Sequence, residues 1–162
     1  MNLLVHGPAM IASHMPETHP LKPGRADDAQ YLITDPRNGW AELVTVVAPP
    51  TATDMDIARV HDLSYIAMVD RLSFPGAMGR VPSGEVKRFG FSSHGDNPPY
   101  PEMGSIARNV SGGVIHALQQ VSTGNAKFAF VPSGGVNHHA MPATASGFGI
   151  FNDAGVEIGR AH

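Results

Sequence analysis

The sequence has no cysteine among its 162 residues. Disulfide bonds and thiolate metal sites are therefore excluded, and any bound metal ion would need His, Asp or Glu side chains as ligands. The chain has nine histidines, so its composition leaves a site of that kind open.

Blocks of like charge and long apolar runs are also missing. Eleven Lys and Arg residues stand against fourteen Asp and Glu residues, for a formal net charge of -3. Because no basic patch suggests nucleic acid or an anionic membrane, we expect a small-molecule or peptide partner. Residues 1–16 lack the basic start of an export signal, and their apolar stretches are too short for a membrane span. We expect a cytoplasmic protein.

Length and composition are typical of one compact domain. Hydrophobic residues make up 42% of the chain and charged residues 15%, which permits a sizeable core. The 18 glycines and 14 prolines fall in clusters, which favours short elements joined by many loops over a bundle of long helices. With no internal repeat or linker, residues 1–162 are predicted to form a single α/β unit.

Hydrophobic periodicity predicts the order of the elements. Short apolar runs predict buried strands at residues 3–5 and 42–48, and a further strand at residues 127–131. Helical spacing predicts helices at residues 53–72, from residue 103 to the Gly124-Asn125 stop, and from residue 153. The second helix should have one apolar face, formed by Met103, Ile106, Val110, Val114, Leu118 and Val121. Residues 74–99 are long enough for a functional loop or rim.

The most informative segment is residues 134–153, GGVNHHAMPATASGFGIFND, which follows the third predicted strand. Open α/β sheets place ligands at the carboxyl ends of their strands, where this glycine loop should lie. Of two adjacent histidines, one can accept a proton while the other stabilises charge, and glycines permit close approach of backbone and substrate. Taken alone, the pair also fits an ordinary surface loop, since adjacent side chains of an extended chain point apart.

Further residues stand at fixed distances from the histidine pair. His-His-Ala occupies residues 138–140, Ala-Ser-Gly-Phe residues 145–148 and Asn-Asp residues 152–153. This segment resembles, without a gap, that of the histone deacetylase and acetoin-utilisation deacetylase family. Residues 19–25 resemble the family's His-Pro segment with its following Pro and Arg, residues 60–65 its Val-His stretch with a following Tyr, and residues 96–98 an Asp-x-Pro turn. The resemblance covers nearly the whole chain in family order.

The resemblance implies roles for individual residues. His139 would be the general base that takes a proton from a zinc-bound water, and His138 the neighbouring imidazole that stabilises developing charge. Gly147 and Phe148 would line the narrow channel that holds the acylated lysine or amine stem. Arg25 would lie beneath the active site, in an internal pocket through which acetate leaves.

Other polar residues are expected to be structural. Asn152 and Asp153 should order the loop and start the last helix, because Asn and Asp favour caps. Two histidines fall inside predicted helices and should pack there or be partly exposed: His61 and His116. Three others lie near strand ends or in loops, where a metal role would need a second ligand at suitable spacing: His6, His14 and His94.

The family's zinc ligands are not found in this sequence. In the family they come from a strand ending in Asp-x-Asp-x-His and from a later Asp, which would follow residue 162 in family order. The resemblance therefore implies a three-layer α/β fold of the arginase and deacetylase type, with a mainly parallel sheet flanked by helices, truncated to roughly its N-terminal half. Zinc is implied for the full-length family, and we expect the 162-residue chain alone to be inactive.

The activity implied by the resemblance is hydrolysis of an acetylated lysine peptide or a small acetylated amine by a zinc-activated water. The alternative is a non-catalytic half-domain that acts as a binding or assembly module. A truncated sheet would expose the apolar edge of residues 127–131, so self-association through that edge is expected. An unrelated His-rich metal binder would leave the gap-free match around His138 unexplained.

Overall fold

The structure is a computed structural model that describes residues 1–12 and 15–160. His14, one of the histidines considered as a metal ligand, lies outside the described residues. The helices and strands are β1 (Asn2–Val5), α1 (Arg25–Thr34), β2 (Thr45–Val47), α2 (Asp54–Ile57), α3 (Leu63–Leu72), α4 (Ser83–Arg88), α5 (Met103–Ser122), β3 (Phe128–Phe130) and α6 (Asp153–Arg160). The predicted α/β class is confirmed. Within the described residues, no helix combines the length and apolar character needed to cross a lipid bilayer.

The sheet has the strand order β2-β1-β3, and both pairs of strands are parallel. In the central strand β1, Leu4 is in register with Val46 on one side and Phe130 on the other. Paired residues share a face and successive residues alternate between faces, so Leu3 and Val5 point away from these three. All three predicted residues of β1, 3–5, are buried, as expected for a central strand.

The two faces of the sheet differ in what covers them. On one face, Leu3 and Val5 pack with Ala117 of α5 in an apolar cluster. On the other, the exposed fractions of Val46 and Phe130 are 41% and 38%. The expectation that residues 42–48 form a buried strand is therefore wrong: β2 is an edge strand of three residues, and residues 41–43 form a 3-10 turn before it.

The helix predicted over residues 53–72 is divided in two. Thr53 caps α2 as predicted, because its hydroxyl accepts a hydrogen bond from Asp56 N at 3.2 Å. Helix α2 ends after one turn, and α3 begins at residue 63. Between them, Asp62 N donates to the carbonyl of Pro142 at 2.9 Å instead of to a carbonyl one turn earlier. This contact from a distant part of the chain produces a kink, and His61 lies in it.

Helix α5 has the predicted start and stop but only half of the predicted buried face. Of the six expected residues, Met103, Ile106 and Val110 are buried, whereas Leu118 and Val121 are exposed. The middle of the helix approaches the chain through a small residue: a Cβ added to Gly112 would lie 1.9 Å from the Pro50 carbonyl oxygen. The backbones are in contact there, which leaves no room for a side chain at that position.

The long loop of residues 74–99 folds against the residues expected to form the site. It contains helix α4 and a 3-10 turn at residues 77–79. The carbonyl of Phe89 accepts a hydrogen bond from Ala145 N at 2.9 Å, and a Cβ on Gly90 would lie 2.1 Å from the Ala145 carbonyl oxygen. Helices α3 and α5 complete the main apolar core, which also includes Tyr65, Phe91, Ile150 and Phe151.

Candidate active site

The candidate site is built on residues 134–153, which we call the site segment. It follows β3, at the carboxyl end of the sheet, as the position of ligand sites in open α/β sheets predicts. A Cβ on Gly134 would lie 2.7 Å from a methyl group of Val114, so the segment starts in close contact with α5. Gly135 has φ 79, a left-handed conformation that favours glycine, and it turns the chain into a 3-10 turn at residues 136–139.

The two histidines lie side by side in this turn. The ring centroids of His138 and His139 are 4.1 Å apart with an interplanar angle of 41°, and both side chains are exposed. Adjacent side chains would point apart in extended chain, and the 3-10 turn brings them together instead. The Nδ1 atom of His138 lies 2.8 Å from the Gly135 carbonyl oxygen. Since a carbonyl only accepts, Nδ1 carries a hydrogen, and the lone pair of neutral His138 is on Nε2.

Gly147 packs directly against the imidazole of His139. A Cβ at Gly147 would lie 2.8 Å from His139 Cδ2, and the backbone there has φ 51. Phe148 follows with φ 70, an unfavourable conformation for a bulky residue. Two hydrogen bonds between Ser146 and Gly149, of 3.2 and 2.8 Å, close the turn around it. The structure therefore brings Gly147 to His139 and holds Phe148 in a conformation that the surroundings must maintain.

His19 fixes the side chain of Phe148 from the N-terminal part of the chain. The two rings meet edge to face, with centroids 4.8 Å apart. His19 is buried, accepts a hydrogen bond from Leu21 N at Nδ1, and has its Nε2 3.0 Å from the Asp96 carbonyl oxygen. These contacts join the His-Pro stretch, the loop of residues 74–99 and the site segment around one aromatic ring.

Arg25 and Phe148 line the same cavity, of about 80 Å³. Its walls also include Met15, Tyr100 and Ile150. Arg25 is the first residue of α1, and its side chain is exposed on one side. The imidazole pair lies outside the lining of this cavity. Of the five residues expected at the site, the structure thus forms two groups: His138 with His139 and Gly147, and Arg25 with Phe148.

Asp153 closes the site segment from its far end. The carboxylate is fully buried and accepts hydrogen bonds from Gly135 N at 2.7 Å, Asn137 Nδ2 at 3.3 Å and Ala154 N at 3.0 Å. Burial raises the pKa of Asp153 above its usual value, and the hydrogen bonds from Gly135 and Asn137 oppose that rise. Its neighbour Asn152 accepts from Gly155 N at 2.8 Å, so the pair starts α6 as caps of this type do.

Three buried side chains from outside the segment bind its backbone, and none of them was predicted to have a role in the site. Asn97 Nδ2 donates to the Gly149 carbonyl at 3.1 Å, and the Tyr65 hydroxyl donates to the Ile150 carbonyl at 2.6 Å. His61 Nε2 accepts from Asn152 N at 2.9 Å. A usable sequence signal existed for two of them, because His61 and Tyr65 are both part of the Val-His stretch that carries the resemblance.

Comparison with known proteins identifies the family. Residues 19–162 match the histone deacetylase domain family. The chain belongs to that family. Histone deacetylase clr6 of Schizosaccharomyces pombe is 31% identical over 152 residues, which cover 92% of this chain and 36% of that protein. The acetoin utilization protein AcuC of Bacillus subtilis is 34% identical over 113 residues, covering 70% of this chain and 28% of that protein. The chain thus spans about a third of the length of these relatives.

The described His, Asp and Glu residues form no group suited to a metal ion. Within residues 1–12 and 15–160, no three His, Asp or Glu side chains come together as a group that could hold a metal ion. Of the histidines considered as ligands, His6 has its Nε2 2.9 Å from Asp27 Oδ1, and His94 is exposed. A histone deacetylase zinc site is therefore not assembled from these side chains.

The contact between Gly147 and His139 gives a testable prediction for this histone deacetylase domain. Gly147→Ala should destabilise the chain and displace the His139 ring, because both the left-handed backbone and the new Cβ are unfavourable. Gly124→Ala is the matched control: Gly124 has φ 76 but open space around its Cβ position. The free energy of unfolding should fall by about 1–2 kcal/mol in the control. In Gly147→Ala it should fall by roughly 1–3 kcal/mol more.

Chemical denaturation measures both free energies of unfolding, and NMR signals of the His139 ring report its displacement. Equal losses of stability in the two variants, with an unshifted His139 ring in Gly147→Ala, would show that the contact is not formed.

Proposed function

We propose that this chain supplies the proton-handling part of a zinc-dependent deacetylase, which hydrolyses an acetylated lysine peptide or a small acetylated amine. The observation that carries the proposal is the imidazole pair, 4.1 Å apart in a fixed turn, with Gly147 against His139. Membership of the histone deacetylase domain family supports the reaction class. The zinc ligands would come from residues outside the 162 of this chain. A cytoplasmic location stays a prediction from the sequence.

In this proposal His139 is the general base and His138 is its electrostatic partner. Like charges at the separation of these rings repel, so the arrangement favours one neutral ring, able to accept a proton, beside one that can carry charge. The Gly135 carbonyl, 2.8 Å from His138 Nδ1, suits His138 for the charged role, because a carbonyl stabilises an imidazolium N–H. Gly147, which we propose to line the channel for the substrate stem, packs directly against the His139 ring, and this contact supports a fixed position of the proposed base.

Phe148 is proposed to contact the amine portion of the substrate, and Arg25 the acetate that is released. Phe148 would line the channel for the lysine or amine stem, and its edge contact with His19 supports a fixed ring position. Arg25 would bind acetate in the cavity that it shares with Phe148. A cavity of about 80 Å³ has room for several waters or a small carboxylate, and a guanidinium is the side chain best suited to a carboxylate.

The proposed role of His139 is tested by substitution in a polypeptide that joins this chain to a segment with the family's zinc ligands. His139→Ala should lower kcat for an acetyl-lysine reporter by about 10²–10⁴-fold with unchanged zinc content, because the residue handles a proton and binds no metal. His116→Ala, which removes a histidine of α5 outside the site segment, is the control and should retain activity. Retained turnover in His139→Ala, or loss of zinc with the side chain, refutes the assignment.

A second candidate function, an assembly module, is favoured by the uncovered face of the sheet. Phe128 is 57% exposed, and it lies with Phe130, Trp40 and Leu43 around an apolar surface depression of about 460 Å³. Exposed apolar surface next to an edge strand promotes association. We propose a second copy of the chain as the occupant, which pairs its own β3 face with this one.

Size-exclusion chromatography of the 162-residue chain tests self-association. The chain should elute as a dimer or larger at high concentration, and Phe128→Lys should shift it to the monomer. The matched control is Met55→Lys, which puts the same charge at a side chain that is 80% exposed in α2. A monodisperse monomer for the unmodified chain, or equal shifts in the two variants, excludes the assembly module.

A further inference from the structure

His61 lies buried in the kink between α2 and α3, with both ring nitrogens bound to the site segment. His61 is only 2% exposed. Nε2 lies 2.9 Å from Asn152 N, which can only donate, so Nε2 must accept. Nδ1 lies 3.3 Å from the Pro142 carbonyl oxygen, which can only accept, so Nδ1 must donate. The two partners together select the neutral Nδ1–H form of the ring.

Aromatic neighbours hold the ring in this orientation. The Tyr65 ring stacks on it with centroids 5.2 Å apart and an interplanar angle of 29°. The Phe151 ring lies on another side at 5.4 Å. Tyr65 is itself fixed by the 2.6 Å hydrogen bond from its hydroxyl to the Ile150 carbonyl. His61 therefore presents Nε2 to the Asn152 N–H from a packed environment and not from a mobile surface position.

Asn152 connects His61 to the imidazole pair. Its side-chain Nδ2 donates to the His138 carbonyl at 3.2 Å and to the Ala140 carbonyl at 3.0 Å. These are the carbonyls of the residues directly before and after His139. One amide group thus binds the backbone on both sides of His139, and the backbone N–H of the same residue is bound to His61.

We propose that His61 is a positioning residue for the His138-His139 pair, that it acts through Asn152, and that it does so only as a neutral imidazole. The catalytic role of this pair rests on the proposed function. The contact between His61 and Asn152, and its response to pH, can be measured without turnover. A protonated Nε2 would point its hydrogen at the Asn152 N–H, so two donors would face each other and the bond would be lost.

The ionisable groups around the kink determine the pH range. Burial lowers the pKa of His61 below its ordinary value, and the hydrogen bonds to the Pro142 and Met141 carbonyls and the charge of Asp62 oppose this. Burial raises the pKa of Tyr65, so its hydroxyl stays neutral. Other ionisable residues of the surrounding elements are Asp54, Asp56 and Arg59 in or beside α2, Asp70 and Arg71 of α3, His138 and His139 of the site segment, and Asp153 and Glu157 of α6.

The sign of the effect follows from the lowered pKa. A histidine in the unfolded chain has a pKa of about 6.5, and the folded state favours the neutral ring. The stabilisation by His61 is therefore fully present above that pH and is lost as the pH falls through the lower folded pKa. The imidazole pair should lose its backbone support in the same range.

Amide hydrogen exchange of Asn152 in the 162-residue chain tests the proposal. In the unmodified chain, protection of this amide relative to intrinsic exchange should fall with decreasing pH by up to about tenfold per pH unit below the folded pKa. The Val156 amide, which donates to the Asn152 carbonyl in α6, is the internal control and should show no such dependence.

Two variants separate positioning from packing. His61→Gln places an amide oxygen where Nε2 was, so it should keep the Asn152 amide protected without pH dependence. His61→Leu fills the site without an acceptor, so it should lose the protection at every pH and shift the ring signals of His138 and His139, but not those of exposed His94. If His61→Leu does not fold, the comparison between the unmodified chain and His61→Gln decides alone.

A pH-independent Asn152 amide in the unmodified chain, or an unchanged pH dependence in His61→Gln, overturns the proposal. Either result would leave the proposed deacetylase function standing. Conversely, lack of deacetylase activity would not change the exchange result, so the proposed function and the proposed role of His61 can be refuted independently.

Discussion

The buried carboxylate of Asp153 is the constraint on which the site segment depends. An ionised carboxylate without partners is very unfavourable in a protein interior, so the chain must bring donors to it. Two of them, Gly135 N and Asn137 Nδ2, come from residues 18 and 16 positions earlier. Satisfying this one group therefore closes residues 135–153 into a loop, and the turn with both histidines lies inside that loop.

Other polar groups of the loop are also bound by buried partners. Carbonyl and N–H groups of an irregular segment have no ladder to bind, and here buried side chains bind them instead. Asn97, Tyr65 and His61 come from three different parts of the chain and each binds one such group. The imidazoles of His138 and His139 stay exposed while the backbone beneath them is fixed, as their proposed catalytic role requires.

Elements set by local physics were predictable from the sequence. The buried run at residues 3–5, the cap at Thr53, and both ends of α5 were predicted correctly, since periodicity and caps act over a few residues. The kink at residues 58–62 could not be foreseen, because it depends on a hydrogen bond between Asp62 and Pro142, 80 positions away. Exposure of β2 and of Leu118 likewise depends on which face other elements cover.

For the site, the roles that the resemblance implies stay predictions, and the structure shows how the residues are arranged. The pairing of His138 with His139 and the contact of Gly147 with His139 are both present in the structure. His61 was expected to be a packing or partly exposed residue within a helix. The kink instead lets both of its ring nitrogens bind the site segment. Arg25 reaches the Phe148 cavity but not the imidazole pair.

Residues 134–153 hold the imidazole pair in a fixed arrangement through hydrogen bonds and packing within this chain. The most direct test is ¹⁵N NMR of the histidine ring nitrogens in the 162-residue chain at neutral pH. The account predicts that neutral His138 carries its hydrogen on Nδ1, bound to the Gly135 carbonyl at the 2.8 Å separation of the structure. A His138 ring with its hydrogen on Nε2, or in rapid exchange between the two forms, would contradict it.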